Sequence, residues 1–76
     1  MTPEQFYKLD EMKQAELVWD GVHIGDRWNK EYHVLLYKND DLYIEVFFHL
    51  HHNAIKKMQA FTKDELLNIY TLKTGL

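Results

Sequence analysis

The sequence predicts an α+β fold: an N-terminal helical segment, a four-stranded antiparallel meander sheet and a C-terminal helix, with the helices on one sheet face. Three observations point there. Capping signals stand near both ends of the chain, at Thr2-Pro3-Glu4-Gln5 and Thr62-Lys63-Asp64-Glu65. Between them, helical spacing gives way to alternation, with turn residues every nine or ten positions. The 76 residues leave room for one core, so residues 1–76 read as a single compact domain.

The first helix starts where Thr2 takes the N-cap and Pro3 the first helical position, with Gln5 completing a capping box. One rod from Pro3 to Trp19 would scatter its apolar residues around the wheel. A break near Leu9-Asp10 resolves this: Asp10 caps a second segment whose Met12, Ala15, Val18 and Trp19 share a stripe. Gly21 ends the helical region. Strands are expected at about 22–28, 31–38, 42–50 and 54–60, with turns at "NK", "NDD" and "HHN". "AIKKMQA" also suits a helix, but the capping box at Thr62 makes the helix begin there. That last helix should run to about Leu72 and bury Leu66, Leu67 and Tyr70.

A three-residue loop Asn39-Asp40-Asp41 would pair Leu36 with Ile44, Val34 with Val46 and Tyr32 with Phe48, all apolar. Ile24 would then lie beside Leu36. The core face becomes Ile24, Val34, Leu36, Ile44, Val46, Phe48 and Leu50. The opposite face carries His23, Arg27, His33, Leu35, Tyr37, Tyr43, Glu45, Phe47, His49 and His51. With both helical regions on the first face, this second face is expected to be open in the monomer.

Composition removes several classes of function. Net charge is −3, and the only tight basic cluster is Lys56-Lys57, so neither nucleic acid nor an anionic membrane is an expected partner. No apolar stretch approaches the ~20 residues of a bilayer span, and the start of the chain lacks the apolar run of a signal peptide. With no cysteine, disulfides and thiolate metal sites are excluded and a cytoplasmic location is the default. There is no serine either, so serine and cysteine nucleophiles are absent. Gly21, Gly25 and Gly75 form no phosphate-binding loop. No catalytic residue is assigned, and an enzyme is not the expected reading.

Two candidate sites remain. His49 and His51 leave one strand face about 7 Å apart at Cα. With His33, or with Glu31, from the neighbouring strand they could hold zinc or another divalent ion. The plainer account is a polar strand end with part-exposed histidines and no cofactor. The second candidate is the aromatic surface of His33, Leu35, Tyr37, Tyr43, Glu45, Phe47 and His49. An exposed apolar face on so small a domain marks a contact site, and burying it in a homodimer would also add stability. Ordinary cross-strand pairing explains the tyrosines equally simply. Glu45 stands apart, because it points into this face and could pair with Arg27 or a histidine. Asp40-Asp41 and Asp10-Glu11 fit a turn and a helix start.

The phrases "ELVWDGVHIGDR", "YHVLLYKNDDLYIEVFF", "NAIKKMQAF" and "ELLNIY" resemble a group of short uncharacterised bacterial proteins with no assigned activity. The likeness covers most of residues 9 to 70 and implies a compact helix–sheet–helix protein. The histidine run at 49 to 52 lies outside the shared phrases. The expected function is a small cytoplasmic protein-interaction or regulatory domain that self-associates through the sheet face opposite the helices. The alternative is a histidine-based divalent-metal protein or metal-dependent enzyme.

Overall fold

The computed structural model describes the backbone of residues 1–74 and the side chains of residues 1–69. In chain order the elements are α1 (Pro3–Tyr7), α2 (Glu11–Asp20), β1 (Val22–Asn29), β2 (Tyr32–Asn39), β3 (Leu42–His49), β4 (Ala54–Phe61) and α3 (Lys63–Thr74). The four strands form one antiparallel sheet in the order β1-β2-β3-β4, flanked by N- and C-terminal helices. This is the expected α+β architecture.

The helix starts form as their chemistry requires. Thr2 Oγ1 accepts from the Gln5 amide at 3.2 Å, and Gln5 Oε1 accepts from the Thr2 amide at 2.9 Å. Thr62 and Glu65 repeat the exchange at 3.2 and 2.9 Å. Asp10 Oδ1 takes the Lys13 amide at 2.9 Å, so the helical region does break there.

The face α2 presents to the core is not the expected stripe. Val18 is fully buried, Leu17 packs beside it, and Met12 and Trp19 are exposed. Half-buried Gln14 sits one turn before Leu17 and Val18, and its Nε2 donates to the Phe6 carbonyl at 3.0 Å. A polar residue on the docked side rotates the helix away from the purely apolar stripe. The cluster under α1 and α2 contains Phe6, Val18, Leu42, Ile44, Val46 and Ala60, with Leu35, Tyr37 and Met58 against it. In α3, which meets β3 and β4, Leu66 is buried and Leu67 is exposed. The expected burial of Tyr70 lies outside the described residues.

The register of the central hairpin departs from expectation by one residue. Asn39 pairs with Leu42 across a two-residue loop, Asp40-Asp41, and the ladder continues through Leu36–Glu45, Val34–Phe47 and Tyr32–His49. Residues directly opposite in an antiparallel pair share a face, so a one-residue slip exchanges faces for one strand. Asn39 is thus a strand residue and not part of the loop, and its Nδ2 donates to the Leu17 carbonyl at 2.8 Å, tying β2 to α2. Lys30, Asp40 and Asn53 have positive φ (55°, 54° and 49°) and fall in the three expected turns.

Ile24 does not lie beside Leu36. A bulge between His23 and Gly25 sets Gly25 there, and Ile24 is exposed, as is Leu50. β2 and β3 are buried on both sides: Leu35, Ile44 and Val46 face α1 and α2, and Val34, Leu36, Glu45 and Phe47 fill the other face. The expected open sheet face is therefore closed at its centre within a single chain.

Candidate interaction surface

On the face away from α1 and α2, the cross-strand row Arg27, Val34, Phe47 and Lys57 sets an aromatic ring between two cations. The Arg27 guanidinium carbon lies 5.7 Å from the Phe47 ring centre and Lys57 Nζ 4.5 Å from it. Arg27 also donates twice to Glu45, from Nε to Oε2 at 3.1 Å and from Nη2 to Oε1 at 3.4 Å. Glu45 is 1% exposed, so pairing with Arg27, one of the two partners considered for it, satisfies a charge taken out of water.

The seven residues expected to form a partner surface do not share one. The observed register places His33, Leu35 and Tyr37 on the α1/α2 face and Tyr43, Glu45, Phe47 and His49 on the other. Leu35 and Tyr37 pack against the core cluster. Glu45, Phe47 (5% exposed) and His49 (7%) are interior residues of the monomer.

The proposed metal ligands separate for the same reason. His33 faces away from His49; its Nε2 meets Asp26 Oδ2 at 2.7 Å, and its ring stacks on Trp28 with centres 4.0 Å apart and planes 4° from parallel. His49 uses both nitrogens. Nε2 lies 3.0 Å from Glu31 Oε2, and Nδ1 accepts the His52 amide at 3.2 Å. A neutral ring protonated on Nε2 satisfies both partners and leaves no lone pair for a metal. His52 stacks over His49 with centres 4.2 Å apart, whereas the His51 ring is 5.8 Å away. The nearer neighbour of His49 is thus His52, a residue of the expected "HHN" turn. Among the described residues, no three His, Asp or Glu side chains converge as metal donors.

The open surface lies at β1. Among the described residues this strand pairs with β2 alone, and its Val22, Ile24 and Trp28 side chains are exposed, Trp28 at 66%. Close by, the exposed Trp19 of α2 meets Tyr37 edge-on at 6.3 Å, and His23 lies 5.3 Å from the same ring. Trp19, Ile24 and Trp28 were not among the expected contact residues. One signal was available, because the first strand of a meander is always an edge. Its exposed apolar residues therefore have no neighbouring strand to cover them.

Fold and surface together define a small α+β domain with an apolar sheet edge at β1. No helix among the described residues is long and apolar enough to cross a membrane. Comparison with known proteins gives no match to a family model, to a curated protein or to a solved structure.

Proposed function

We propose that the protein is a small interaction domain that binds a protein chain, in the simplest case a second copy, along β1 and the tryptophans beside it. The observation that carries this reading is the combination of an unpaired strand edge with exposed Val22, Ile24 and Trp28. An edge strand offers backbone groups for strand addition, and tryptophan is favoured at the centre of protein contacts. The lack of cysteine supports a reducing compartment such as the cytoplasm.

Sedimentation across a concentration series tests this for self-association, with Trp28→Ser and Ile24→Lys as variants. Dimer mass in the parent and monomer mass in both variants supports the reading. Monomer mass in all three at every concentration removes the second copy as the partner.

A further inference from the structure

The two edges of the sheet are treated differently, and the difference centres on one hydroxyl. β4 is the other outer strand, and Ala60 turns its backbone groups away from β3. The Ala60 amide donates to the Tyr7 hydroxyl at 2.9 Å, and that hydroxyl faces the Ala60 carbonyl oxygen at 3.4 Å. One side-chain oxygen thus makes both bonds that a residue on a neighbouring strand would exchange with Ala60. Burial does not explain the placement, because Tyr7 is exposed while its neighbour Phe6 is fully buried. Phe6 anchors α1, and Tyr7 is delivered to the strand edge.

We propose that Tyr7 is a stopper for the β4 edge and that the strand it excludes is β1 of a second copy. A fifth strand on β4 would run antiparallel to it and continue the meander, and β1 is the edge left open in every other copy. Charge disfavours the alternative of β4 on β4. Two β4 strands would bring Lys56 and Lys57 of both copies together, whereas β1, with Asp26 and Arg27, carries no net charge against them. Such a contact is head-to-tail and does not close, so it propagates as a filament. Propagation needs both edges, so blocking β4 alone prevents it and leaves β1 available. The inference rests on β1 being open but not on its having a physiological partner.

The test is Tyr7→Phe, compared with the parent by sedimentation at matched concentrations, with far-UV circular dichroism to confirm the fold. The phenyl ring fills the same space and offers no hydrogen bond. The folded variant is expected to form species of many chain masses at concentrations where the parent does not, and adding Ile24→Lys on β1 should return the profile of Ile24→Lys alone. At dilutions where the variant is not associated, hydrogen exchange at the Ala60 amide should rise about tenfold, the loss of one modest hydrogen bond. If Tyr7→Phe does not fold, Tyr7→Trp takes its place, keeping a donor but no acceptor. A folded Tyr7 variant that sediments as the parent does at every concentration overturns the proposal. So does association that Ile24→Lys leaves unchanged. A parent that dimerises through β1 only moves the baseline from one chain to two. A parent that stays monomeric removes a second copy as the functional partner and leaves the Tyr7 comparison intact.

Discussion

Arg27 and Glu45 meet in a two-point ion pair, at 3.1 and 3.4 Å, on a sheet face that a reading of the sequence would leave to solvent. The carboxylate is buried and the guanidinium side chain is one-fifth exposed. Removing one partner strands the other charge in a poor dielectric. Arg27→Ala should therefore lower stability by about 3 kcal/mol, the low end of the range for buried pairs because Arg27 reaches water. Arg27→Met with Glu45→Leu should recover most of that loss in urea denaturation. A double variant as unstable as the single one would contradict this account of the pair.

Phe47 and Trp28 make a second comparison. Phe47 is interior, so Phe47→Ala should cost about 3–5 kcal/mol. Trp28 is largely exposed, and Trp28→Ala should cost less than about 1 kcal/mol. Urea midpoints for the two variants separate a packing residue from a surface one. Equal losses would mean that Trp28 also holds the fold.

Gly21 sits where α2 turns into β1. A methyl group there would stand 2.7 Å from the Lys38 carbonyl oxygen and 3.3 Å from that of Leu17, both backbone atoms that cannot swing aside. Gly21→Ala should lose about 1–3 kcal/mol by overpacking. Gly25→Ala is the control, since nothing lies within 4 Å of its added carbon. Thermal melts of the two should differ clearly.

The hairpin at Asp40-Asp41 yields a further pair. Asn39→Ala removes the bond to the Leu17 carbonyl and should cost about 1 kcal/mol. Asp40 holds φ at 54°, which a β-branched residue resists, so Asp40→Val should cost about 1–2 kcal/mol. Asp40→Gly should stay within about 1 kcal/mol of the parent. An Asp40→Val variant as stable as the parent, measured by chemical denaturation, would refute the strain at this turn.

Local signals were readable in advance. Thr2, Asp10 and Thr62 start helices because their side-chain oxygens reach the amide three residues on, and such short-range chemistry is written in adjacent letters. The strands were legible too, as β4 shows: it lies where a helix beginning at Thr62 forces it. Register was not legible, and the reason is physical. Val34–Phe47 is as apolar a pair as Val34–Val46, because both faces of β2 and β3 are buried. Hydrophobic alternation cannot choose between registers when neither face is wet. The observed register makes Asn39 a strand residue bonded to a carbonyl 22 residues away, a contact that adjacent letters do not show. Every candidate site inherited that single residue of error. His33 and His49 parted, and the aromatic surface divided between two faces. Trp19 falls in the apolar stripe expected of α2 and Trp28 on an edge strand, so neither exposure is encoded in local spacing.

Tyr7 and Ala60 are 53 residues apart, and their order along the chain has a temporal meaning. A polypeptide is made from its N-terminus, so the phenol that closes the last strand exists long before that strand does. When β4 pairs with β3 and acquires an outer edge, its closure is already present in the same chain at high effective concentration. A neighbouring molecule must compete with an intramolecular partner from the first moment the edge appears. Had the closing residue followed β4, the outer edge of that strand would have stayed open until the residue was made.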